Sequence, residues 1–177
     1  MKQERPTVMR NGIMAALITV VVGACTGNID ANEIEVSSID IAKRYVGLHE
    51  YYNRDELEIF LNVDPFSTQW CAAFVNKVLQ IQGIPNLYDV GYAYPLTARG
   101  FLQWGESVDF QDEIQIGDIV IFPRGSEGWQ GHVGFYAGTS GGKWIILGGN
   151  QDDSVSYKLY PPYMAIGIRR GSPYLEI

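Results

Sequence analysis

Gln69-Trp70-Cys71-Ala72-Ala73-Phe74-Val75 places a cysteine at the start of a run with helical periodicity. Ala72, Phe74, Val75, Val78 and Leu79 fall on one helical face, so the run predicts a buried helix from about Trp70 to Gln82. Ser67 or Thr68 can cap it, and Gly83 with Pro85 ends it. Upstream, Ser38 can cap a helix that buries Ile39, Ile41, Ala42, Tyr45 and Val46, and Asp55 to Leu61 reads as a second short helix. Pro95 to Trp104 reads as one more. Downstream the pattern changes. Gly117–Phe122, His132–Ala137, Trp144–Leu147, Val155–Tyr160 and Ile166–Arg169 are short β-rich runs separated by Gly, Pro and Asp. Helices first and consecutive strands after them predict an α+β fold around an antiparallel sheet.

This order brings chemistry with it. A cysteine in the first turn of a helix meets unpaired amides and the positive end of the helix dipole, which favour a thiolate and can hold an oxyanion. Gly131-His132-Val133-Gly134-Phe135-Tyr136 starts a strand with a histidine. By alternation, Val133, Phe135 and Ala137 form the core face, while His132, Gly134 and Tyr136 share the other, with Gly134 leaving space near the imidazole. If the next strand pairs through the turn at Thr139 to Gly142, then Trp144, Ile146, Gly148 and Asn150 share a phase and Asn150 approaches His132. A side-chain amide there would fix the imidazole tautomer. Cys71, His132 and Asn150 are the expected catalytic set, with Gln151 the competing third residue. Gln69 could donate to an oxyanion or simply face water.

Other readings are weaker. His49-Glu50 lacks a second histidine at ligand spacing, so no metal site is expected, and the thiol chemistry needs no cofactor. Gly138-Thr139-Ser140-Gly141-Gly142 fits a serine-nucleophile pattern, but a strand follows where that elbow requires a helix. Asp152-Asp153 reads as a solvated turn rather than a calcium site. Tyr92, Tyr94, Trp104 and Trp129 are aromatic candidates for a substrate groove or for the core.

The 177 residues suit one folded domain, and a net charge of -7 argues against nucleic acid as a partner. The N-terminus is a different kind of segment. Lys2, Arg5 and Arg10 precede an apolar and small-residue run from Ile13 to Ala24, the length of an export signal's core and short for a membrane span. The run ends Val22-Gly23-Ala24-Cys25, which resembles the bacterial lipobox, with Val22 where leucine is more usual. That resemblance implies acylation of Cys25; an ordinary cleaved signal is the alternative. The expected layout is a signal peptide over 1–24, the lipidated cysteine with a polar tether over 25–37, and a domain over 38–177. Extended, the tether reaches at most about 40 Å. The chain is then exported, periplasmic or at the cell surface, with a membrane as partner through the anchor. A lipidated Cys25 also leaves Cys71 without a disulfide partner, and a free thiol in an exported protein is easiest to explain if it reacts. The bland alternative is a Cys25–Cys71 bridge.

Taken in order, the motifs resemble the papain-like cell-wall hydrolases, the NlpC-type peptidases and CHAP amidases. Trp70–Val75 resembles their nucleophile motif, Gly117–Phe122 the strand before the histidine, Gly131–Tyr136 the histidine strand, and Leu147-Gly148-Gly149-Asn150-Gln151 the segment of the third polar residue, nearest an endolysin-like subgroup. The resemblance covers about Ile39 to Arg170. It implies a papain-like fold and hydrolysis of a peptide or amide bond in peptidoglycan by an acyl-enzyme route. CHAP members often carry an acidic residue where this chain has Gly148, so the third role falls to Asn150.

Overall fold

The computed structural model describes residues 36–110 and 114–171. The expected signal peptide, Cys25 and the tether as far as residue 35 lie outside these. The first helix, α1, spans Ser38–Lys43, and Ser37 rather than Ser38 caps it: its Oγ accepts the amide of Asp40. α2 is Arg54–Leu61 and ends on Asn62 in the left-handed conformation. α3 is Cys71–Gln82, closed by Gly83 at φ 79°. The expected caps of α3 are used elsewhere. The amides of Ser67 and Thr68 both donate to the carbonyl of Asp64 in a separate turn, and Trp70 occupies the N-cap position, where its side chain does not cap the helix. The region expected as a helix from Pro95 contains a 3-10 segment, Ala98–Gln103.

Six strands follow: β1 (Glu106–Ser107), β2 (Ile119–Pro123), β3 (Gly131–Ser140), β4 (Lys143–Gly148), β5 (Ser156–Tyr160) and β6 (Gly167–Arg170). They form one sheet in the order β1-β6-β2-β3-β4-β5, every neighbouring pair antiparallel. The α+β arrangement is the expected one. β3 and β4 are joined at Gly141 and Gly142, with φ of 57° and 74°, so the Ser140 segment is a hairpin and not a nucleophile elbow. A bulge between Tyr136 and Gly138 shifts the register within this pair.

α3 is apolar on nearly all sides because it is covered on nearly all sides. Trp70, Ala72, Phe74, Val75, Val78 and Leu79 are buried with Ile39, Leu57, Ile121, Val133, Phe135 and Leu147 in one core. Burial of each large side chain contributes about 1.5–3 kcal/mol. The opposite face of the sheet carries a smaller cluster, Val120, Phe122, Tyr136 and Ile146, partly covered by Trp144 and Tyr160. The two faces of β3 divide as alternation predicts, with Val133 and Phe135 toward the helices.

Two details set the spacing of helix and sheet. A Cβ on Gly149 would come within 2.6 Å of both Phe74 Cβ and the Trp70 ring, so only glycine lets the end of β4 lie against the start of α3. Asp118, buried at the start of β2, takes two hydrogen bonds of 2.7 Å from the Arg170 guanidinium and one of 2.8 Å from the amide of Gln115. It ties the end of β6 to β2, so the polar residue of the Gly117–Phe122 motif has a structural task.

Candidate active site

The first turn of α3 has no side-chain cap, so its amides are available to Cys71. The backbone N–H groups of Ala72 and of Cys71 itself approach the sulfur, and so does that of Val133 on β3. The thiol therefore lies against the residue that follows His132. Cys71 is buried, at 2% exposure, and burial pushes its pKa up despite these amides and a neighbouring positive charge from Arg124. The resting group is a thiol. The expectation that the helix start favours a thiolate is corrected: desolvation outweighs the amides and the Arg124 charge that act the other way.

His132, at 3% exposure, packs beneath Tyr160, the rings 5.7 Å apart and 18° from parallel. Tyr160 in turn stacks on Phe122 at 4.4 Å. Burial lowers the imidazole pKa to about 4, against the opposing effect of its hydrogen bond to Gln151. That bond joins Nε2 to Gln151 Oε1 at 3.1 Å.

The amide of Gln151 has one possible orientation. Its Nε2 donates to the carbonyls of Ile146, Gly148 and Ser156, which can only accept. Oε1 must therefore face His132, and His132 must donate from Nε2. The remaining ring nitrogen, Nδ1, then carries a lone pair, and it has no hydrogen-bond partner among the described residues. A buried, unpaired base nitrogen is costly unless something arrives to use it.

The expectation that Asn150 meets the imidazole is corrected. β4 ends at Gly148, and Asn150 sits beyond it at φ 56°. Strand alternation stops there, and the turn brings the next side chain, Gln151, back beneath the ring. Asn150 instead donates from Nδ2 to Gln69 Oε1 at 3.3 Å. With its oxygen so occupied, Gln69 has its NH2 group left to donate. Gly148 does face the imidazole, since a Cβ there would lie 3.4 Å from Nε2; the space at Gly134 is filled by Ile146 and the β4 backbone.

Cys71 and Gln69 line a cavity of about 440 Å³, whose other walls are Leu96, Thr97, Ala98, Arg124, Gly125, Trp129, Gln130 and Gly131. Of the four aromatic candidates, Trp129 belongs to this cavity. Trp104 is a core residue whose Nε1 donates to the carbonyl of Pro85, and Tyr92 packs against the core. Arg124 and Tyr160 were missed from the sequence. Arg124 follows Pro123 at the end of β2, where a cation reads as surface; Tyr160 reads as one more strand aromatic. Among the described residues no group of three or more His, Cys, Asp or Glu is placed to hold a metal ion. Asp152, with φ 52°, pairs with Lys158 at 2.7 Å, and His49 Nδ1 accepts the amide of Tyr51.

No protein-family model matches this chain, and no curated protein does so. Solved structures do. An NlpC/P60 family protein from Bacillus cereus ATCC 10987 is 21% identical with a TM-score of 0.38, over 56% of this chain and 30% of that one. NlpC1 from Trichomonas vaginalis is 18% identical with a TM-score of 0.48, over 81% of this chain and 46% of that one. The chain thus matches less than half the length of either.

Proposed function

We propose that this domain is a cysteine hydrolase that cleaves a peptide or amide bond of peptidoglycan. Cys71 Sγ attacks the carbonyl carbon while its proton passes to Nδ1 of His132. The oxyanion is held by the first-turn amides of α3 and by the NH2 group of Gln69, which Asn150 positions. Nδ1 then returns the proton to the leaving nitrogen as the C–N bond breaks, leaving a thioester. Water, deprotonated by the same nitrogen, releases the acid and restores the thiol. Gln151 holds the ring in the tautomer that this route requires. Thiol and imidazole are both neutral at rest, so attack and proton transfer occur together.

The observation that carries this reading is the one-way hydrogen-bond chain from three carbonyls through Gln151 to His132. It leaves an unpaired basic nitrogen on His132, the residue before Val133, whose amide meets the thiol. The assignment to peptidoglycan rests on the motif resemblance. Endopeptidase and N-acetylmuramoyl-L-alanine amidase cleavage suit the same residues. The test is digestion of purified sacculi by the full-length protein, with released fragments read by mass spectrometry. One recurring new amine–carboxyl pair is expected, absent with Cys71→Ala. Intact sacculi after prolonged digestion would exclude peptidoglycan as the substrate.

A second reading is favoured by the burial of Cys71: a silent module that binds cell-wall material without cutting it. Its thiol would react with a small electrophile no faster than a free peptide thiol.

The proposal includes export and anchoring through an acylated Cys25, supported by the lipobox-like end of the apolar run. Cys25→Ser should move the protein from the membrane fraction to the soluble one.

A further inference from the structure

The cavity beside Cys71 has a cation and no anion. Among the residues that line it there is no Asp or Glu, and Arg124 stands in its wall together with the thiol-bearing residue. Arg124 makes no ion pair among the described residues. Asp152, whose carboxyl pKa is held down chiefly by Lys158 at 2.7 Å and only weakly by Arg124, makes no ion pair with that guanidinium, and Arg99, whose Nε donates 2.7 Å to the carbonyl of Gln130, adds a second positive charge behind the cavity rim. In a chain with a net charge of -7, such a site is a local reversal of the overall field. Leu96, Ala98 and the 64% exposed Trp129 add apolar wall beside the uncharged polar Thr97 and Gln130, and Trp129 offers a flat ring to a small organic group. A volume of about 440 Å³ suits a ligand of one or two amino-acid residues.

We infer that Arg124 is a specificity residue, binding a free carboxylate that the substrate carries close to the bond attacked by Cys71. This rests on the hydrolase reading and narrows it to acidic substrates. The guanidinium presents paired donors that match the two oxygens of a carboxylate, which a carboxamide cannot replace at equal strength. Arg124 and Cys71 line the same cavity, so an anion seated on the guanidinium brings the adjacent carbonyl toward the sulfur.

The test needs no knowledge of the substrate. Iodoacetate and iodoacetamide each form an S–CH2 bond with the sulfur and release iodide, and they differ in carrying a carboxylate or an amide. Their rates on the full-length protein are read by mass spectrometry on the peptide containing Cys71, which separates it from Cys25. The iodoacetate-to-iodoacetamide ratio cancels any change in thiolate fraction. Relative to free cysteine, the ratio should be raised about 5-fold, fall to the free-cysteine value in Arg124→Gln, and be largely kept in Arg124→Lys. It should also decline in about 1 M salt, where the screening length is about 3 Å. A wild-type ratio equal to that of free cysteine, or one unchanged by Arg124→Gln, overturns the inference. Alkylation requires only the thiol, so a raised, Arg124-dependent ratio in a protein that cuts nothing would sink the hydrolase and leave the anion site standing.

Discussion

At the scale of single residues, the proposed chemistry divides unequally. Cys71→Ala removes one sulfur atom from a helix start and should abolish cleavage with little change in melting temperature. Cys71→Ser should be nearly as inactive, because a hydroxyl gives up its proton far less readily than a thiol. Turnover that survives in Cys71→Ala would rule out the thiol route. Gln151 and Asn150 separate two roles that the sequence confuses. Gln151→Ala frees the ring to take the wrong tautomer and should reduce kcat on the order of 10- to 1,000-fold. It also leaves two buried carbonyls and the part-buried one of Ser156 without this donor, so stability should drop by a few kcal/mol and activity must be measured where circular dichroism shows a folded protein. Asn150→Gly suits the left-handed backbone at φ 56° and removes only the amide that holds Gln69. It should cost about 10-fold or less in kcat and leave the His132 titration where it is. A larger loss in Asn150→Gly than in Gln151→Ala would return the orienting role to Asn150.

At the scale of elements, the site depends on how closely α3 approaches the sheet. Gly149 sets that distance, since any side chain there meets Trp70 and Phe74. Gly149→Ala should destabilise the domain by about 1–3 kcal/mol, read as a lower urea midpoint. It should also lower activity more than the fraction unfolded accounts for, because moving α3 outward separates Cys71 from β3. Unchanged stability in Gly149→Ala would mean the helix and strand can part freely. Trp70 adds a second constraint on the same helix end, its Nε1 donating 2.9 Å to Glu50 Oε2 in the loop between α1 and α2.

At the scale of the whole molecule, burial of the imidazole becomes a pH dependence of stability. The unfolded chain takes up a proton at His132 near pH 6.5, and the folded chain refuses it until about pH 4. The folded state therefore keeps this contribution above pH 6.5 and loses it as pH falls through that window, by about 3 kcal/mol in all. Denaturation in urea at pH 7 and at pH 4.5 should show a fall in stability that is smaller in His132→Asn. Equal falls in the two proteins would mean the imidazole is solvated. The sequence alone determined the order of the three α-helices and of β2 to β6, the cysteine at a helix start and the histidine at a strand start, because helical and strand periodicities are local; the two residues of β1 are too few to show one. It also fixed the two faces of β3. Which polar side chain reaches His132 was decided by the tertiary structure, since β4 stops at Gly148 and alternation has no force in the turn beyond it. The protonation state of Cys71 was decided there too: a helix start is visible in sequence, but the burial that raises the thiol pKa exists only in the packed chain, where it outweighs the amides that reach the sulfur. Arg124 reads as an ordinary surface cation until the folded chain sets it in the wall of the cavity that holds the thiol, because such proximity is made by packing between residues far apart in the chain.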